Sequence, residues 1–250
     1  MCINREKNEW EPTQRLSIDE ISLRKGHQDF VTVVSDVEQG VLIEVIDSHQ
    51  QAPVIEALML QPIEVRQAVA EVSVDMWGGF PKVVKTVFPN AVLVIDRFHV
   101  MKVVNQDLNR LRRKLGMTRR SSKYLLLRNG ADLASEQVEE LAVILAASPC
   151  LRMAYELKEE LRQIYESSQS VKSGRRRFER WLKLAQLFYP DAASTIRNHL
   201  DGICNYFLSR TTSGVMEGIN NRIKLIKRQG YGFSNFNNFR SRLLACFSNE

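Results

Sequence analysis

The sequence predicts an α/β protein in which a mixed sheet is interrupted by a large all-helical insertion. Three observations predict it. Short β-branched runs crowd the first hundred residues. Helical periodicity with no strand pattern fills the stretch from about 100 to 210. Two further amphipathic stretches close the chain. The boundaries read from these shifts give a poorly ordered, polar lead-in at 1–14 and the first part of the core at 15–100. The helical insertion follows at 101–210, and C-terminal helices at 211–250 return to the core with an acidic side chain.

Leu16-Ser17-Ile18-Asp19 alternates and reads as a first strand. Phe30 to Asp36 is β-branched and reads as a second. Glu38-Gln39-Gly40 makes a turn, and Val41 to Ile46 follows as a third, completing an antiparallel meander. Pro53 opens a helix, since a first-turn proline gives up no intrahelical bond. Ala70 to Asp75 reads as a fourth strand, and Gly78 to Phe88 as a helix stopped by Pro89-Asn90. Ala91 to Asp96 is a fifth strand, an apolar run of the kind buried on both faces. Helices are then expected over 100–115, 135–147, 151–166, 175–188 and 192–208, with one more from Val215 to Arg228 and a last from Asn235 to Phe247. Gly230-Tyr231-Gly232 separates these two. Three antiparallel strands, then helix, strand, helix, strand, is the order of a ribonuclease H-like fold.

Composition narrows the class. With 44 % hydrophobic and 26 % charged residues, the chain has the balance of a globular protein. No apolar run approaches the roughly 20 residues of a membrane span, so no membrane partner is expected. The first residues lack the apolar centre of a signal peptide. Cys2, Cys150, Cys204 and Cys246 form no CxxC pair, which argues against a zinc ribbon or a disulfide framework and fits a reducing cytoplasm. The net charge of +6 is concentrated in three runs. One is Lys102 to Arg128, including Arg112 and Arg113, with Asp107 as its one acid. The second is Lys172 to Lys183, including Arg176, and the third follows Glu217. Such runs suit a phosphate backbone, although each alone also reads as a solvated helix face.

The chemistry rests on carboxylates. In this strand order the first and fourth strands are neighbours, so Asp19 and Asp75 can approach across the sheet. Two such carboxylates repel unless a cation neutralises them. Mg²⁺ does so with hard oxygen ligands, and two ions about 4 Å apart can serve both the attacking and the leaving oxygen of a phosphoryl displacement. That requires Asp19, Asp75 and Glu217 to lie within roughly 4–8 Å of one another. Ser213 is the expected N-cap of the helix that carries Glu217. There Glu217, Asn220, Asn221, Lys224 and Arg228 fall on one polar stripe, opposite Ile219, Ile223 and Ile226. An acidic first turn favoured by the helix dipole explains Glu217 alone, but not the paired asparagines and the cations after them. Asp96-Arg97-Phe98-His99 follows the fifth strand, with Asp96 and His99 at i, i+3. His99 could orient a carboxylate, contact a phosphate, touch a metal, or be a structural residue. Asp36 ends the second strand and rivals Asp19 for the first acid. It is assigned instead as a turn residue before Glu38-Gln39-Gly40, because the second strand lies further out.

Asp19-Glu20 with Arg24-Lys25-Gly26-His27, Val74-Asp75-Met76, Asp96-Arg97-Phe98-His99-Val100, and Glu217-Gly218-Ile219-Asn220-Asn221 with Arg228 through Phe233 resemble the DDE transposases of the ISL-three group of bacterial insertion sequences. The resemblance runs from about residue 16 to 247. It implies an enzyme that cuts and joins DNA with two Mg²⁺ ions, for which Mn²⁺ can substitute. Asp19, Asp75 and Glu217 would be the catalytic, metal-binding acids, with Asp96 and His99 as a supporting pair. Asn220, Asn221, Lys224, Arg228, Arg112, Arg113 and Arg176 would be DNA contacts. The implied partners are the element's ends, target DNA and further copies of the chain, in the bacterial cytoplasm. Family members carry a front half with a zinc ribbon and a helix-turn-helix. The expectation here is a chain without that half. The rival functions are a catalytically inactive DNA-binding remnant and a nuclease that hydrolyses without strand transfer.

Overall fold

The computed structural model describes residues 10–24, 28–76, 78–210, 214–230, 233 and 235–247. The chain divides into two compact units, Met1–Asp96 with Thr211–Glu250, and Arg97–Arg210. The expected positions Lys25, Gly26, His27, Ser213, Tyr231 and Gly232 lie outside the described residues.

The first unit holds strands β1 (Arg15–Arg24), β2 (Gln28–Asp36), β3 (Val41–Ile46), β4 (Glu71–Val74) and β5 (Val92–Ile95). They form one sheet in the order β3-β2-β1-β4-β5. β1, β2 and β3 are antiparallel, while β4 is parallel to both β1 and β5. The expected adjacency of the first and fourth strands is therefore present. A tight turn joins β2 to β3. Gly40 adopts φ +70°, a left-handed value that glycine reaches without Cβ strain, and its N–H donates to the Asp36 carbonyl at 3.0 Å.

Between these strands lie α1 (Gln51–Met59), α2 (Ile63–Ala68) and α3 (Phe80–Val87). Pro53 remains in the first turn of α1, where its missing N–H costs nothing. α3 buries Phe80, Val83, Val84 and Val87 at helical spacing and packs on β4, β5 and α1. The C-terminal helices α11 (Gly214–Gln229) and α12 (Phe236–Phe247) return to this unit. Met216, Ile219, Ile223 and Ile226 of α11, with Phe239, Leu243 and Phe247 of α12, close over Ile21, Val31, Val33, Leu42 and Val45. Burying each such side chain contributes about 1.5–3 kcal/mol. Arg240 adds a two-pronged bond from α12 to Glu44 of β3, with both N···O distances 2.6 Å.

Two expectations need correction here. β5 is not buried on both faces: it is an edge strand, and Val92 is 37 % exposed. Its apolar run reflects the helix-covered end at Val94 and Ile95. The lead-in is also not loose throughout. Trp10 and Thr13 are buried, with the Trp10 N–H donating to Gln61 Oε1 at 2.9 Å and the Thr13 hydroxyl donating to Asp36.

The second unit is helical: α4 (Arg97–Lys114), α5 (Arg120–Leu127), a 3₁₀ turn at Gly130–Asp132, α6 (Ser135–Ala146), α7 (Pro149–Ser167), α8 (Val171–Phe188), α9 (Pro190–Asn198) and α10 (Leu200–Ser209). The hydroxyls of Ser148 and Ser170 cap α7 and α8 by accepting from the Leu151 and Ser173 N–H groups. Aromatic side chains fill the centre. The Tyr165 ring meets Phe178 and Tyr206 edge-on at 5.3 and 5.1 Å, and Trp181 Nε1 donates to the Leu157 carbonyl at 2.7 Å. Fully buried Lys158 closes the open end of α5, donating to the carbonyls of Leu126 (3.1 Å) and Arg128 (2.7 Å). Burial pushes its ammonium below the ordinary lysine value, against the pull of Glu159. The single helix expected over 192–208 is two, broken at His199.

Candidate active site

Asp19 lies in the middle of β1, opposite Val33 of β2. Val33 and Ile21 belong to the cluster under α11, so strand alternation turns Asp19 toward the same helix. On the other side of β1, Ile18 pairs with Val74, and Val74 pairs with Ile95. The residue after each member of this row is an aspartate: Asp19, Asp75 and Asp96. The Asp96 N–H donates to the Val74 carbonyl at 3.0 Å, which carries the alignment one residue past β5. Asp19 on β1, and Asp75 and Asp96 one residue past the ends of β4 and β5, thus stand level across three adjacent strands. The signal was present in the chain as an aliphatic residue followed by Asp in each of the three strands.

Helix α11 brings the next group. Asn220 Nδ2 donates to Asp19 Oδ2 at 2.7 Å, while the Glu20 N–H donates to Asp19 Oδ1 at 2.8 Å. The Asp75 carboxylate accepts from the Met76 N–H. Asn220 is half-buried at the edge of the apolar face of α11, and Glu217, Asn221, Lys224 and Arg228 are exposed beyond that edge. Glu217 precedes Asn220 by three residues and Lys224 follows it by four, so all three share one flank of the helix. Lower on the face, the Ser35 hydroxyl contacts Met216 Sδ at 3.6 Å.

The structure does not gather every expected ligand. Among the described residues, no group of three or more His, Cys, Asp or Glu side chains is placed to hold one metal ion. Asp19 and Asp75 are neighbours by register, and α11 is tied to Asp19 through Asn220, but Glu217 points to solvent. The donor types suit a hard cation. The carboxylate oxygens of Asp19 and Asp75 are hard ligands, and Asn220 Oδ1, on the opposite side of the amide from the nitrogen that meets Asp19, is buried with no hydrogen-bond partner among the described residues.

Asp36 has a different environment. It is 3 % exposed and holds three donors: Thr13 donates to Oδ2, and the N–H groups of Glu38 (2.7 Å) and Gln39 (2.9 Å) donate to Oδ1. It holds the turn after β2.

Asp96 closes the first unit and is largely buried. In the second unit, half-buried His99 stands edge-on to the exposed Phe98 ring at 5.4 Å. Arg97 pairs with Glu166 and lies over the Tyr165 ring at 5.2 Å, anchoring the start of α4.

Among the expected DNA contacts, Arg113 and Arg176 are exposed, as are Asn221, Lys224 and Arg228. Arg112 is not, and it leaves the set. It is 4 % exposed, its Nε donates to Asn109 Oδ1 at 3.0 Å, and its Nη1 donates to the Met117 carbonyl. Burial, and then the Arg113 charge, lowers its pKa from the usual arginine value. Arg112 continues the buried stripe of Val100, Val104 and Leu108, a periodicity that the run of charges obscures. Arg112→Ala is expected to destabilise the helical unit by about 2–3 kcal/mol, since it removes a buried side chain together with its bonds to Asn109 and to the Met117 carbonyl, which among the described residues keeps only the Ser122 hydroxyl at 3.2 Å. Arg113→Ala is expected to leave stability within about 0.5 kcal/mol. Thermal melts of the two variants separate the buried arginine from the exposed one.

No described helix is long and apolar enough to cross a membrane. The model of the DDE ISL-three transposase family matches residues 16–243. The chain is 29 % identical to the transposase for insertion sequence element IS1001 of Bordetella parapertussis, over 96 % of this chain and 62 % of that protein. It is 28 % identical to the transposase for insertion sequence element IS1557 of Mycobacterium tuberculosis, over 88 % of this chain and 57 % of that protein. A shorter match, 30 % identical over 42 % of this chain, is to a protein of Lactococcus lactis named as an ATP-dependent protease. The chain thus spans about 62 % and 57 % of the two transposases it matches. With the family model extending across both the strand carboxylates and α11, the chain belongs to the DDE transposases of the ISL-three group.

Proposed function

We propose that this chain is the catalytic part of an insertion-sequence transposase, with a ribonuclease H-like core that cleaves DNA at the element's ends and joins them to target DNA. The observation that carries this reading is the Asn220–Asp19 bond, which places the Glu217-bearing helix over the strand whose neighbour bears Asp75. Asp19, Asp75 and Glu217 would hold the divalent ions, Glu217 by turning its long, exposed side chain inward over the edge of α11. When bound, two Mg²⁺ ions, or Mn²⁺ in their place, supply a more acidic attacking hydroxyl and neutralise charge on the scissile phosphate.

The chain's own residues do the rest. Lys224 and Arg228 extend from the Glu217 flank and hold phosphates, and Asn221 faces the same way. Arg113 and Arg176 supply exposed charge on the helical unit. Cleavage adds water to the phosphorus and breaks its bond to the 3′ oxygen, leaving a 3′-OH and a 5′-phosphate. Joining repeats the exchange, with that 3′-OH attacking a target phosphodiester and releasing a target 3′-OH. Two ends must meet, so the working form is a homo-oligomer on DNA, in the bacterial cytoplasm, with end recognition supplied by a front half of the kind the family carries.

One observation favours a second reading, an inactive DNA-binding remnant: as placed, the described carboxylates make no three-ligand group. Incubating the protein with a duplex carrying the element's ends and a target plasmid separates the readings. The first expects nicked and joined products with Mg²⁺ and none with EDTA. DNA binding without either product supports the remnant, and nicking without joining supports a nuclease.

A further inference from the structure

We propose that Asn220 is a positioning residue for Asp19 rather than a DNA contact, fixing the carboxylate and, through it, the seat of α11. The inference rests on the metal-dependent reading above. Among the described residues each Asp19 oxygen accepts one protein donor, Oδ1 from the Glu20 N–H and Oδ2 from Asn220 Nδ2. Two donors on two oxygens fix the plane of the carboxylate. An ionised carboxylate has about four acceptor positions, so each oxygen keeps one free for a cation. An aspartate free to rotate would have to be ordered each time an ion bound.

The orientation of the amide is decided by its partner. Only Nδ2 can donate to a carboxylate, so Oδ1 is turned away, and there it is buried with no partner among the described residues. Leaving such an oxygen unsatisfied costs about 1–3 kcal/mol. Leucine has nearly the same shape and would avoid that cost, so packing alone does not account for asparagine here. A phosphate contact does not account for it either, since the side chain is half-buried and its donor engages Asp19, whereas Asn221 beside it is exposed. Asn220 also lies one turn from Glu217, so its bond to β1 sets how far that acid stands from Asp19.

The test compares the full chain with Asn220→Leu, Asn220→Ala and Asp19→Asn. Mn²⁺ binding is followed by calorimetry, affinity for a fluorescent DNA duplex by anisotropy in EDTA, and folding by thermal melts. Asn220→Leu is expected to melt at or above the wild-type temperature. Both Asn220 variants are expected to bind Mn²⁺ about tenfold more weakly, as substitutions behind a metal ligand do, with DNA affinity in EDTA unchanged within twofold. Wild-type Mn²⁺ affinity in Asn220→Leu, with binding lost in Asp19→Asn, overturns this inference alone. Weakened DNA binding with intact Mn²⁺ binding overturns it in favour of a phosphate contact. Absence of Mn²⁺ binding by the wild type overturns it together with the metal-dependent reading.

Discussion

Asp19→Asn is expected to reduce Mg²⁺-dependent strand cleavage by a thousandfold or more, while Asp36→Asn leaves it within about threefold. The first change removes a negative charge and an oxygen of the proposed metal site, where the β1–β4 register and α11 converge. A thousandfold corresponds to about 4 kcal/mol of transition-state stabilisation, within what a metal-held phosphoryl transfer loses with a ligand. The second change alters a buried turn. Asp36 accepts from Thr13, Glu38 and Gln39. With the amide nitrogen in the Oδ2 position the Thr13 hydroxyl turns to accept, so three bonds to a charged group become bonds to a neutral one and about 1–2 kcal/mol of stability is expected to be lost. Cleavage rates measured well below the melting temperature keep the two effects apart. An Asp36→Asn variant that is folded but inactive, beside an active Asp19→Asn, would reverse the assignment of the first acid.

Gly174→Ala is expected to destabilise the helical unit by about 2–3 kcal/mol, although helix propensity argues the other way. Alanine in place of glycine inside a helix ordinarily stabilises by about 1 kcal/mol. Gly174 lies in α8, where a Cβ would come within 2.8 Å of Phe207 Cζ and closer still to two other ring carbons. Phe207 cannot swing aside cheaply. It is buried and packed against Tyr165, Tyr206 and Phe178. Overpacking of a dense core costs 1–3 kcal/mol and more where the neighbour is rigid, so the collision outweighs the propensity. Thermal melts of wild type and Gly174→Ala provide the check: a variant as stable as wild type would mean that the Phe207 ring has room to move.

Local patterning made the sheet legible. Val41 to Ile46 is a β-branched run bounded by a glycine turn, and it forms β3 over those residues. β1 extends five residues beyond the stretch that reads as a strand, because Glu20, Ser22 and Arg24 break the apolar pattern while Ile21 still points into the core. α5 was hidden for the same reason: polar residues from Arg119 to Lys123 fill its start, and of its residues only Ser122, Leu125 and Leu126 are buried. The break at His199 carries no proline or glycine to announce it.

The acids of the candidate site were legible as aspartates after aliphatic strand residues and as a glutamate opening a polar helix stripe. The partner of Asn220 was not, since it lies 201 residues away and the pairing exists only once α11 lies on β1. Arg112 was misread because a run of cations looks like a surface, whereas its place on the helix puts it with Val104 and Leu108.

In the proposed mechanism, segments around Asp19, Asp75 and Glu217 meet at one divalent ion site. Iron(II) substituted for Mg²⁺ on the folded chain, with ascorbate and peroxide, cuts the backbone next to wherever the metal is held. Cuts are expected to cluster at the three segments, to be suppressed by excess Mg²⁺ and to be lost in Asp19→Asn. Cuts confined to one segment, or scattered alike in the wild type and the variant, would contradict it.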